Sequence, residues 1–529
     1  MKIVPIGTFR RLAMAAAAGL ALSLSAPVIQ AQAQEGELVV ALPTFSDETM
    51  VPWAGSGQRK TYLDLVYEYL VYLDPETGEP LPGLAESWEM SEDGTVWTFH
   101  LRQDVPFSGD HGVMTSADVA YSIQRLIGED SRAGPASTMR RAIASVETPD
   151  EHTVVVTLNF PDFELAQGYF GVSQQLGIVS RDYVESQGDQ AATAPPVGTG
   201  PYVLESQETG SSITMTLRDD IDVADHWRVT PDFETVTFRL APEEATRVAM
   251  LQTGEADIAP VGFDSIPTLE EAGIRIVSAE ATWSPVIRLG GLVMNDPARH
   301  NPDAPWADQR VRQAMNYAVD KQTIIDELFH GEAVVAASDT PVRAWESVEP
   351  YPYDPERARE LLAEAGYPDG FDITLRTFTT TPGAELPLMA EAVALYWQDV
   401  GINATIEPVD WPAMRSDWTE GRATEVVWSH RGFPFASAAN GLEAGFVSDS
   451  LFASFASDEL DAMIDDFVNE QDLAERERKL TAIGQYLRDQ AAAVFIALAN
   501  EPYGVGPDVG EWPLNIAYVW NFDQVRHAE

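Results

Sequence analysis

The chain has 529 residues, 45% of them apolar and 9% aromatic, so it can bury a sizeable core and is globular, not disordered. Its 83 acidic residues outnumber 33 basic ones, giving a formal charge of −50, a field that excludes nucleic acid or anionic lipid as an electrostatic partner. Cysteine is absent, which removes disulfides, thiolate metal sites, a thiol nucleophile and a lipid-modified N-terminal cysteine together.

Lys2, Arg10 and Arg11 precede the apolar run from Leu12 to Ser25, and Ala31-Gln32-Ala33 supplies a small-residue cleavage motif. This is the pattern of a secretory signal peptide over residues 1–33. The expected mature chain starts near Gln34, carries a charge of −53 and diffuses freely in the periplasm. No later apolar run approaches the ~20 residues of a membrane-spanning helix, so no membrane insertion is expected. The acids are scattered and not gathered into a tail, which reads as adaptation to salty surroundings. The remaining length of about 495 residues exceeds one ordinary core, so two or three domains are expected.

In chain order, Ser91-Glu92-Asp93-Gly94 is a turn between Trp88–Met90 and a run in which Trp97, Phe99 and Leu101 alternate with Val96, Thr98 and His100. The spacing predicts a hairpin with one apolar face. Thr115 stands at capping-box distance from Asp118, and Val119, Ile123, Leu126 and Ile127 recur at helical spacing, so a helix begins near Ser116. Short strands follow at Thr153–Leu158, Ile213–Leu217 and Val236–Leu240, with Gly198-Thr199-Gly200 as a turn. Asp308 caps a helix bearing Val311, Ala314, Met315, Ala318 and Val319. Asp354-Pro355 opens a second that closes at Gly366, and a third carries Met389, Val393, Tyr396, Trp397 and Val400 to Gly401 before the strand Ile402–Ile406. The fold class is α/β throughout.

Five blocks carry a family resemblance: LPGLAESWEMSEDGTVWTFHLRQDVPFSGDHGVMTSADVAYSIQRL at 81–126, PVGTGPYVLES at 196–206, MLQTGEADIA at 250–259, DQRVRQAMNYAVDKQTII at 308–325 and YDPERARELLAEAGYPDGFDITL at 353–375. In content and order they resemble the family 5 extracellular solute-binding proteins, the oligopeptide-, dipeptide- and nickel-type receptors of ABC importers. The resemblance implies a two-lobe periplasmic-binding-protein fold of the cluster C type, with a hinge and an extra subdomain in lobe I. It places lobe I at 34–285, lobe II at 286–493 and a C-terminal return to lobe I at 494–529. It also implies a monomer that captures a small solute, closes about the hinge and docks on an inner-membrane ABC permease, without a cofactor.

No catalytic residue is expected. There is no G-x-S-x-G elbow, no lysine preceded by the glycine of a P-loop, and Gly198-Thr199-Gly200 lacks the rest of a dinucleotide fingerprint. The eight histidines include no H-E-x-x-H and no pair at i, i+4, so no metal site is read. A secreted hydrolase using two carboxylates is the remaining enzyme alternative, since 83 acids supply pairs that sequence cannot resolve in space.

In peptide-binding members of the resembled family, a Trp-x-x-Asp segment supplies the carboxylate that meets the peptide's α-ammonium. The corresponding residues here run Val427-Trp428-Ser429-His430-Arg431-Gly432-Phe433-Pro434-Phe435, with Arg431 at the aspartate position. A guanidinium repels an ammonium and donates bidentate hydrogen bonds to a carboxylate, so the expected ligand is peptide-like but anionic at this point. An opine, an acidic oligosaccharide or a metal chelate held by His430 are the alternatives. Trp428, Phe433, Phe435, Trp411, Trp283 and Trp53 complete the candidate ligand-binding set, as rigid aromatic surfaces near strand ends and loops.

Overall fold

Thr115 and Asp118 close the capping box their spacing predicts: the Asp118 carboxylate accepts from the Thr115 backbone N–H and hydroxyl, both at 2.9 Å, and the helix Ser116–Leu126 follows. The computed structural model describes residues 36–528 except 56–58, 75–78, 169, 172–175, 223–225, 339–346, 380–382, 433–437 and 515–519. The expected signal peptide lies outside the described residues.

The predicted hairpin is formed by Ala85–Met90 and Val96–Leu101, with Trp88 opposite Phe99, Met90 opposite Trp97 and Gly94 at φ +67° in the turn. Trp97, Phe99 and Leu101 are buried and the residues between them half-buried. Thr153–Leu158 and Ile143–Asp150 extend the hairpin to a four-stranded antiparallel sheet.

A second sheet of twelve strands spans the molecule. Its lobe I part runs from Tyr202–Glu208 through Ser212–Leu217, Thr235–Leu240 and Glu37–Leu42 to Ile258–Pro260. Its lobe II part holds Val427–Gly432, Phe371–Thr377 and, at the edge, Ile402–Pro408. The strand Arg275–Leu289 and the return strand Ala497–Val505 lie between them and pair with both sides.

Two large apolar cores accompany these halves. One gathers residues from Leu38 to Ile258 together with Tyr503 to Val525, the other residues from Phe263 to Ala499. Phe263 and Ile266 already pack in the second core, Leu269 and Ile274 pack in a smaller cluster with Val39 and Ala41, and the residues of the second core then run from Trp283 to Ala499. Pro285 and Val494, the expected borders, lie in the outgoing strand and in the short strand Val494–Phe495 that pairs with it.

The helices follow the predicted caps. Asp308 and Asp354 each accept a backbone N–H from the first turn of Gln309–Tyr317 and Pro355–Glu364, and Gly366 sits beyond the latter at φ +96°. Gly198 has a different duty: a Cβ there would stand 2.0 Å from the Val66 carbonyl oxygen, so only glycine lets this turn lie on the backbone of residues 65–67.

Candidate functional site

The outgoing and return strands pair antiparallel from Arg275 opposite Val505 to Trp283 opposite Ala499, with the register broken between Ala279 and Trp283. At the break Ala281 takes φ +50°, and its N–H donates to Asn500 Oδ1 at 3.0 Å. A left-handed alanine inside a strand pair is a strained point that a neighbouring side chain must hold. It marks where two separately cored lobes are joined by two strands.

The strand Val427–Gly432 enters the joint from lobe II, with Arg431 opposite Pro285, His430 opposite Val286 and Trp428 opposite Arg288. Strand alternation puts Ser429 and Arg431 on one face and Trp428 and His430 on the other. Ser429 is fully buried and shares a 2.8 Å hydrogen bond with Thr377. Arg431, one step nearer the joint, is half-buried. Glu501 on the return strand is half-buried as well. Burial pushes its carboxyl above the ordinary range, opposed by the Tyr503 hydroxyl and by the positive charge of Arg431. A cation from lobe II and an acid from the joint thus share one field. Glu501 was not singled out by the sequence; the available signal was a lone acid, beside Asn500, inside the mostly apolar run Ala491–Val505.

On the opposite face His430 sits among rings, with centroids of Trp418 at 5.0 Å, Trp411 at 5.7 Å and Phe378 at 6.3 Å. Burial first, then Arg288 and Arg431, hold its pKa well below the usual value, so the imidazole is neutral at pH 7. Its Nδ1 has no hydrogen-bond partner among the described residues. Among the described residues no group of three acids and histidines is placed to hold a metal.

The other candidates are distributed unequally. Trp411 opens the helix Trp411–Thr419, half-buried, 4.9 Å from Phe378. Trp428 is 1% exposed with its ring 5.3 Å from Trp418, and Trp283 is 0% exposed against Phe329 at 5.9 Å. Trp53 lies in the lobe I core, edge-on to Tyr121 and beneath the Arg125 guanidinium. The structure therefore gathers Trp411, Trp428, His430 and Arg431 around one strand end, sets Trp283 in the joint and leaves Trp53 in the other lobe. Phe433 and Phe435 lie outside the described residues.

The model for bacterial extracellular solute-binding proteins, family 5 (middle), matches residues 79–450. The chain belongs to this family. Glutathione-binding protein GsiB of Salmonella typhi is 30% identical over 447 residues, covering 83% of this chain and 81% of that protein. Heme-binding protein A of Haemophilus influenzae is 28% identical over 464 residues, covering 82% and 81%. The structure of HbpA2 from Haemophilus parasuis superposes with a TM-score of 0.78 at 23% identity over 93% of this chain and 100% of that one. This family 5 protein accordingly has the two-lobe architecture of the periplasmic binding proteins, and its role is solute binding.

Proposed function

We propose that the protein is the periplasmic receptor of an ABC importer, exported through a cleaved signal peptide, and that it encloses one small peptide-like, anionic solute between its lobes. The observation that carries the reading is the joint: two lobes with their own cores, connected by two paired strands whose register breaks at Ala279–Trp283. Such a connection permits rotation of one lobe over the other without unfolding either core. Bending there brings the strand end with Arg431 and Trp411 against lobe I. The solute leaves chemically unaltered; the monomer needs no cofactor, metal or catalytic residue, and hands its cargo to an inner-membrane permease.

The ligand class follows from charge. Arg431 stays protonated and offers a planar fork to a carboxylate, whereas an unblocked α-ammonium at the same point is repelled. Glu501 tempers that field, so a solute bearing both a carboxylate and a cationic or donor group toward the joint suits the pair better than a dianion. The names of the glutathione- and heme-binding relatives fit a carboxylate-bearing solute.

Thermal shifts against dipeptides, N-acetylated dipeptides, glutathione, an opine and a uronic oligosaccharide test the reading in native protein and Arg431→Ala. Stabilisation by a carboxylate-bearing solute that Arg431→Ala lowers at least about tenfold in affinity supports it. Equal binding of simple dipeptides by both proteins removes the anionic subsite. A solute recovered as a cleaved product removes the receptor role.

A further inference from the structure

Away from the joint, the lobes touch through charge. Arg476 belongs to lobe II, in the first turn of the helix Leu473–Asp489 whose C-terminal end leads back to the return strand. At ~1.5 Å per residue it sits about 20 Å along that helix from the end nearest the joint. Its Nη1 donates to the carbonyls of Phe467, Val468 and Glu470 at 3.1, 3.3 and 3.2 Å, closing the C-terminus of the helix Asp458–Val468. Its guanidinium also lies over the Phe467 ring at 4.6 Å. These contacts fix it within lobe II and leave Nη2 pointing outward.

Nη2 donates at 2.8 Å to Glu164 Oε1. Glu164 belongs to lobe I, immediately before Leu165 and Ala166 of that core, and the guanidinium is also 5.5 Å from the lobe I ring of Phe163. The side chains are 6% and 17% exposed. A second pair crosses the same gap, from Arg141 of the lobe I helix Ala136–Ala142 to Glu443 of the lobe II helix Ala438–Phe446, but at 4.0 Å, with Arg141 exposed and Glu443 half-buried.

The geometry points to an interlobe latch: the Glu164–Arg476 pair, seated on Phe163 and Phe467, holds the two lobes shut and sets how often the protein opens, whichever solute it carries. Arg476 is already fixed by its own lobe, so closing costs little side-chain entropy on that side. The pair is shielded from water and salt only when the lobes meet, which makes it a bond of the closed form alone. The Arg141–Glu443 pair, longer and with its guanidinium in water, adds little. In function the latch lengthens the life of the closed form, so release of cargo requires something that breaks a charge pair remote from the ligand.

The closure assumed under the proposed function is tested without any solute. Because the chain has no cysteine, Ala144→Cys in lobe I and Glu477→Cys in lobe II, both at exposed positions, take spin labels without background, and pulsed dipolar spectroscopy reads the interlobe distance in the full ligand-free chain. Glu164→Gln, nearly isosteric, is expected to lower the closed-to-open ratio about tenfold, while Arg141→Gln changes it less than about twofold. Arg476→Lys, which keeps the charge but not the fork, falls between native protein and Glu164→Gln. A Glu164→Gln distribution superimposable on that of native protein overturns the latch, and so does an Arg141→Gln effect as large as that of Glu164→Gln. Failure of these variants leaves solute binding by native protein untouched, so the latch and the receptor reading fall separately.

Discussion

Glu68 is a fully buried acid at the centre of lobe I, and its replacement is a sharp test of how that lobe is held. Oε2 accepts from Thr199 Oγ1 at 2.8 Å and Trp227 Nε1 at 3.1 Å, and Oε1 accepts from Arg228 Nε at 3.1 Å. The Arg228 guanidinium also bonds Asp523 near the C-terminus and lies over the Tyr72 ring. Burial works against its charge, but Asp523, Tyr72 and Glu68 together keep its pKa well above the ordinary value. In Glu68→Gln an amide NH2 must face at least one of three donors, and Arg228 keeps only Asp523. Breaking a buried pair from one side costs about 3–5 kcal/mol; with one carboxylate remaining, about 3 kcal/mol is expected, or about 5 °C in Tm. Arg228→Met strands two carboxylates instead of one cation with a partner, so it must cost more, about 5 kcal/mol. Urea titrations followed by tryptophan fluorescence measure both quantities. A Glu68→Gln change below about 1 kcal/mol, or an Arg228→Met variant more stable than Glu68→Gln, would refute the assignment of Glu68 as the anchor.

The turn that delivers Thr199 to Glu68 predicts that Gly198→Ala destabilises lobe I by about 3 kcal/mol in the same titration, because its Cβ collides with the Val66 carbonyl. Gly445→Ala, in the helix Ala438–Phe446 with nothing within 4 Å of its Cβ, moves the midpoint the other way by about 0.5–1 kcal/mol. Asp162, beside the latch, is raised to about 6, chiefly by burial, opposed first by the Glu164 backbone N–H that it accepts, with the charges of Glu164 and of Glu443 from lobe II adding to the rise and Arg476 opposing it. A carboxyl whose pKa is higher in the closed form takes up a proton on closing. The closed fraction should therefore rise as pH falls from 8 to 5.5, and Asp162→Asn should flatten that profile. Self-repulsion at −50 predicts a higher unfolding temperature in 1 M than in 0.05 M NaCl, as the screening length falls from above 10 Å to about 3 Å; a lower one in calorimetry contradicts it.

What could be read from the sequence is what is decided locally. The capping box at Thr115, the Asp354-Pro355 opening, the Gly366 stop and the hairpin about Gly94 depend on residues within a few positions of one another, and each is formed where its spacing indicates. The aromatic candidates were less legible, because residue type does not report depth. Trp411, at the first turn of a helix beside the joint, and Trp53, in the lobe I core, are equivalent as letters.

The charge pairs were beyond reach for a physical reason. Arg228 lies 160 residues from Glu68 and 295 from Asp523, and Arg476 lies 312 residues from Glu164. With 83 acids and only 33 bases, every arginine has several nominal partners for each one the topology delivers. Selection falls to burial, since an arginine drawn into a core or across a cleft must bring an acid or leave a charge uncompensated. In so acidic a chain the scarce side chain is the cation, and its placement carries the information. Arg228 ties the C-terminal return to lobe I, Arg431 marks the strand end at the joint and Arg476 spans the gap between the lobes. On the proposed reading, Arg228→Met, Arg431→Ala and the loss of the Arg476 partner in Glu164→Gln are expected to perturb different steps, respectively the fold, solute recognition and closure, and the three measurements above separate those steps.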